Sequence, residues 1–180
     1  MIITYVYADN NFEWNTSNWR CVIPARAINR TGKHTAHLMP LVDFQKSLKE
    51  SQHLCDQSDI IVVERNFALD TLTAILRWKA KGKVVVGNFD DAYQLMPPSN
   101  SSYGYWMKGE VHYRDADGKE TLTFIKPRPL DQFIWGLRIL DGITVSSRLL
   151  ADDWKAYTDS YYFPNYFEVN NYLKAAAPPH

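Results

Sequence analysis

DIIVVERNFALDTLTAILRWKAKGKVVVGNFDD, residues 59–91, is the stretch that decides the fold. Ile60 to Glu64 opens it with a β-branched run too short for a free-standing helix and apolar enough to be a strand buried on both faces. Leu69, Leu72, Ile75 and Leu76 then recur at helical spacing, and the pattern closes at Gly82, the residue type that ends a helix in a left-handed turn. Val84 to Asn88 is a second β-branched run. Strand, helix and strand in that order form a βαβ unit, and a helical crossover returns the chain to lie parallel to the first strand.

The same alternation extends outward in both directions. Ile2 to Tyr7, Ala36 to Leu41 and Ile143 to Ser146 are further strand-like runs, which predicts a Rossmann-like α/β domain of three layers around a parallel sheet. A helix is predicted from Asn18-Trp19-Arg20 through Val22, Ile23, Ala27 and Ile28 to Gly32, with Pro24 in its first turns. A second spans Asp43 to Cys55 with Phe44, Leu48 and Leu54 as its apolar stripe. Beyond Asn88 the alternation breaks: residues 96–102 are rich in Pro, Ser and Asn, a loop composition. Glu110 to Arg114 and Glu120 to Phe124 flank Asp115 to Lys119, whose Asp117-Gly118 pair signals a β-hairpin inserted at about 109–126. The pattern resumes with helix Leu130 to Leu140, the strand from Ile143, helix Ser147 to Tyr157, and a short run Tyr161 to Phe163 ending at Pro164-Asn165.

Composition bounds the class. A chain of 180 residues supports one core of ordinary size, and 46% hydrophobic against 22% charged residues is the composition of a folding chain. Twenty basic side chains balance twenty acidic ones, so no global field draws a polyanion and nucleic acid is not an expected partner. Cys21 and Cys55 have neither CxxC spacing nor metal-ligand histidines nearby, and read as small buried residues of a reducing compartment. The amino terminus alternates like a first strand and lacks the basic and apolar regions of a signal peptide. No stretch approaches the roughly 20 apolar residues of a membrane span. The expectation is a cytoplasmic protein without a transmembrane segment.

In an open parallel sheet, ligands bind beyond the carboxyl ends of the strands. The loop after the first strand, residues 9–20, mixes amides, hydroxyls and two tryptophans, groups that can serve sugar hydroxyls and apolar sugar faces, or can simply cap a helix through Ser17 or Asn18. It contains no GxGxxG or GxxxxGK[ST], which argues against a dinucleotide or phosphate cradle. Glu64 and Arg65 follow an apolar strand, where they pair with each other or face a ligand. Asp90 and Asp91 end the next strand, and because successive side chains diverge, one of them faces the crevice as a proton acceptor or sugar ligand. His34, His37, His53 and His112 lack ligand spacing, so no metal is expected. Tyr103, Tyr105 and Trp106 with Tyr113 and Phe124 form either an acceptor platform or the packing of the hairpin onto the domain.

Four features in order resemble one family. Trp19-Arg20, Pro24 and Gly32 form a helix signature after the first strand. Asp59 to Arg65 followed by Gly82 to Asp91, then Leu140-Asp141-Gly142-Ile143-Thr144-Val145-Ser146-Ser147, then Phe163-Pro164-Asn165 complete the set. Together these are similar to the amino-terminal domain of group 1 glycosyltransferases of the GT-B fold, the retaining class often called family 4. Two departures stand out: the glycine-rich turn of many relatives is replaced by Asn11 to Asn18, and the hairpin is an insertion.

The resemblance implies a division of labour. Residues 1–165 would form the acceptor side of a cleft for a sugar, glycan or lipid-linked acceptor, and 166–180 would begin the linker to a carboxyl-terminal domain. That second domain would hold the nucleotide sugar, so this domain binds no cofactor alone and needs no metal. The candidate catalytic residues are Asp90 and Asp91; the candidate acceptor ligands are Asn15, Ser17, Trp19, Arg20, Glu64, Arg65, Asn88, Tyr93 and Ser146. Two other readings stay open. One is a stand-alone flavodoxin-like binding module whose acidic pair and Ser146-Ser147 imitate a phosphoacceptor site; the other is an interaction domain built on the aromatic hairpin.

Overall fold

The computed structural model describes residues 1–9, 15–46 and 48–165. Six strands form one parallel sheet: β1 (Ile2–Tyr7), β2 (Thr35–Pro40), β3 (Ile60–Glu64), β4 (Val84–Phe89), β7 (Gly142–Val145) and β8 (Ser160–Tyr162). They lie in the order β2-β1-β3-β4-β7-β8, and every pairing is parallel. All six carboxyl ends therefore share one rim. The helices are α1 (Ile23–Arg30), α2 (Leu41–Lys46), α3 (Lys49–Gln57), α4 (Leu69–Ala80), α5 (Pro129–Ile139) and α6 (Arg148–Trp154). This is the expected Rossmann-like α/β architecture.

Register assigns the two faces. Val6, Ile61, Val63, Val85, Phe89, Ile143 and Val145 point to one side, where Phe44, Ile75, Trp78, Phe133, Leu137 and Trp154 from the helices after β2 complete the larger core. Tyr5 and Val62 point to the other side and pack with Cys21, Ala25 and Ala36. Both cysteines are buried and unpaired. Strand order reverses at β1 and β3, whose chains leave for helices on opposite faces, and diverging loops at such a point open a crevice.

Several elements differ from expectation. The helix expected over 43–55 is two, α2 and α3, separated by Leu48 in an extended conformation (φ −60°, ψ 153°). The Ser51 hydroxyl donates to the carbonyls of Asp43 and Leu48, a local alternative that competes with a continuous helical ladder. Leu48 is consequently exposed and leaves the stripe, while Phe44 stays buried. The helix before β2 starts with a π turn, Asn18–Val22. The short run near Tyr161 is a full sixth strand, pairing Ile143 with Ser160.

The hairpin forms as predicted from β5 (Glu110–Arg114) and β6 (Glu120–Phe124), aligned from Glu110 opposite Phe124 to Arg114 opposite Glu120. Asp115 Oδ1 accepts from the amides of Asp117 and Lys119, and Gly118 takes the left-handed conformation (φ 78°) that closes the loop. Packing against the domain runs through Trp106 ahead of the hairpin, not through Tyr113 and Phe124, which are exposed. Gly136 lets α5 approach the connection between β3 and α4: a Cβ there would stand 2.7 Å from the Cβ of Phe67.

Candidate functional site

The polar residues of the rim divide between the two faces of the sheet. Glu64 and Asn88 are register partners, so both point to the α1 side, and both are buried there with Ser17 and Arg20. Glu64 Oε2 accepts from the Ala8 amide at 2.9 Å, from the Ser17 hydroxyl, and from the Cys21 thiol at 3.8 Å. Its Oε1 lies 3.7 Å from Arg65 Nε. Burial pushes the Glu64 carboxyl above its ordinary range, with the Ser17 and Ala8 bonds and the Arg65 charge opposing.

Arg20 is locked into the same layer. Its Nε donates to Asn88 Oδ1 at 2.7 Å while Asn88 Nδ2 donates to the Arg20 carbonyl at 2.6 Å, and Thr144 donates to Asn88 Oδ1 at 3.0 Å. One terminal nitrogen of Arg20 donates to the Phe163 carbonyl at 2.6 Å and to Asn165 Oδ1 at 3.1 Å. Burial lowers its pKa, and Asp90 is the leading charge that resists. The guanidinium thus ties the segment after β8 to the rim.

Arg65 connects this layer to the opposite face. Its φ of 27° places a non-glycine residue in the left-handed region, a strain of order 1–3 kcal/mol that surrounding structure must hold. Its amide donates to the Asn88 carbonyl at 3.0 Å, and its guanidinium donates to Thr16 at 3.1 Å and forms an ion pair with Asp9. Asp9 in turn accepts from the Ser17 amide at 3.3 Å, and the Asp9 amide donates to the Ser17 hydroxyl at 3.0 Å. Strain and charge converge at the point where strand order reverses.

On the α5 side of the rim lies a pocket of about 470 Å³. Phe67, Tyr93, Trp106 and Phe133 form its aromatic floor: Tyr93 stacks on Trp106 at 4.0 Å, and the Phe133 ring lies 4.9 Å from those of Phe67, Phe89 and Tyr93. Asp9, Arg65, Asn66, Asp91, Asn100 and Ser102 supply polar groups around it. Burial drives the Tyr93 phenol far above its ordinary pKa, and the Asp91 charge adds to the effect. Gln132 also lines the wall, but its amide is occupied, accepting from the Leu69 amide at 2.9 Å and donating to the Pro127 carbonyl at 2.6 Å.

Of the residues picked out from the sequence, the structure brings Arg65, Asp91 and Tyr93 to the pocket wall. Ser17, Arg20, Glu64 and Asn88 lie together in the buried layer on the other face. Asn15 caps the π turn, its Oδ1 accepting from the Asn18 amide at 3.0 Å, and Trp19 is half-buried. Ser146 sits half-buried at the end of β7, beside Ser147, whose hydroxyl caps α6 by accepting from the Leu150 amide at 3.1 Å. Residues 10–14 of the first loop lie outside the described residues. Asp9, Asn66, Asn100 and Ser102 line the pocket without having been singled out. Among the described residues, no three His, Cys, Asp or Glu side chains are grouped to hold a metal ion, and no helix is long and apolar enough to cross a membrane.

The two adjacent carboxylates diverge. Asp91 is exposed in the pocket, whereas Asp90 is partly buried, with a buried Oδ1 that has no hydrogen-bond partner among the described residues. Burial and then Asp91 push the Asp90 carboxyl above its ordinary value. A raised folded-state pKa means that the folded chain holds the proton longer than the unfolded one, so stability present below pH about 4 is lost as pH rises through the folded value. Asp90→Asn is therefore expected to gain stability relative to the parent as pH increases above about 4. Thermal denaturation of both proteins across that range checks it; parallel pH profiles would contradict it.

The chain matches no known protein-family model, no curated protein and no solved structure.

Proposed function

We propose that this chain binds a saccharide acceptor in the pocket and acts as the acceptor half of a nucleotide-sugar-dependent glycosyltransferase, with the donor held by a second domain. The observation that supports this is the pocket's combination of an aromatic floor with a rim of carboxylate, guanidinium and amide groups at the reversal of strand order. A pyranose has the matching form, with C–H groups on its faces and hydroxyls around its edge. A volume of about 470 Å³ is that of a small-molecule site.

In this reading Asp91 is the general base. As the acceptor oxygen bonds to the anomeric carbon and the bond to the nucleotide diphosphate breaks, the hydroxyl proton passes to Asp91. Arg65, held by Asp9 and Thr16, sets the position of the rim, and the nucleotide diphosphate leaves on the donor domain.

Binding is testable on the chain itself. Saturation-transfer NMR with methyl glycosides is expected to give signals from sugar ring protons, and Trp106→Ala is expected to weaken affinity up to about tenfold, the size of one lost stacking contact. Unchanged affinity in the variant would remove the pocket from the proposal. The strand order also belongs to flavodoxin-like binding modules. Such a module would retain the ligand without turnover, so a transfer assay with the donor half present separates the two readings.

A further inference from the structure

Resting on the saccharide reading, we infer that the pocket selects an uncharged or amine-bearing sugar and rejects phosphorylated and carboxylated ones. Among the described residues, the charged side chains lining the pocket are two carboxylates, Asp9 and Asp91, and one guanidinium, Arg65; no lysine or histidine contributes.

Each nitrogen of the guanidinium already faces a group of the protein. One terminal nitrogen donates to Thr16 at 3.1 Å, the other pairs with Asp9, and Nε faces Glu64 Oε1 at 3.7 Å. The left-handed backbone at Arg65 and the bond from its amide to the Asn88 carbonyl hold the start of the side chain in place. An incoming phosphate that reaches Arg65 would share the guanidinium with Asp9 and stand against the Asp9 and Asp91 carboxylates, two negative charges to one positive. Like charges brought together in a partly enclosed site repel more strongly than in water.

A neutral sugar meets no such conflict. Its hydroxyls can donate to the exposed Asp91 carboxylate and exchange hydrogen bonds with Asn100 and Ser102, both exposed on the rim, while its ring lies on the aromatic floor. An ammonium group on the sugar ring adds an ion pair with Asp91.

The test is a fluorescence or NMR titration of the chain with three sets of probes: the methyl glycosides of glucose, mannose and galactose, the 6-phosphates of the same sugars, and glucosamine. Methyl glycosides are expected to bind, the phosphates at least tenfold more weakly, and glucosamine several-fold more tightly. Asp91→Asn is expected to abolish the preference for the amine and to narrow the gap for the phosphates. Raising the salt concentration on the parent protein should narrow that gap as well, which covers a variant that fails to fold. A sugar phosphate binding as tightly as its parent glycoside overturns the charge selection and leaves the saccharide reading standing. No binding by any probe refutes both.

Discussion

Phe133→Ala is expected to destabilise the protein by about 3–5 kcal/mol, the loss typical of removing a fully buried aromatic ring from a packed core. Phe133 is 1% exposed, and its ring stands against those of Phe67, Phe89, Tyr93, Trp106 and Trp154. These neighbours come from the loop after β3, the end of β4, the following loop segments and α6, so their backbones cannot all close on the void. For a domain of this length the effect corresponds to a fall in Tm of roughly 6–20 °C. Because the same ring is part of the pocket floor, the proposed saccharide reading also predicts weaker glycoside binding by the surviving folded protein. Phe133→Leu, which keeps most of the volume, should recover the larger part of the stability. Urea titrations of the three proteins measure this; a loss below about 1 kcal/mol would mean that the cluster repacks around the hole.

If the chain is the acceptor half of a glycosyltransferase as proposed, Asp91→Ala is expected to reduce glycosyl transfer by about 10²–10⁴-fold when the donor half is present, the range for deleting a general base. The loss should fall on the chemical step measured under single-turnover conditions. Asp90→Asn is expected to change that step little, since Asp90 lies outside the pocket lining. Equal losses from the two substitutions would remove the distinction between the neighbouring carboxylates and with it the assignment of the base.

The frame of the fold was readable because its strands are β-branched runs separated by helical spacing, and the segment from Asp59 to Asp91 carries both signals without interruption. The break between α2 and α3 was not readable, since it depends on where the Ser51 hydroxyl finds its acceptors. The location of the candidate site at the strand ends was also legible. Its division was not. Glu64 and Asn88 fall on one side of the sheet and the pocket on the other, a matter of register and of which side the first helix covers. Asp9 escaped notice because its charged partner, Arg65, is 56 residues away and is brought to it by the strand pairing of β1 with β3. Asn100 and Ser102 reach the pocket from a segment whose composition announces only a loop.

A sheet with every strand parallel has its amino-terminal rim free of the pocket. That far side carries the Met1 amine, beside His34 Nδ1 at 3.3 Å, and the exposed Lys33 at the turn before β2. Strands of five or six residues at about 3.3 Å each put this rim roughly 20 Å from the other. Chemical coupling of a biosensor surface or a fluorophore at Met1 or Lys33 would therefore leave the mouth of the pocket turned toward the solution, ready for small molecules flowed past it.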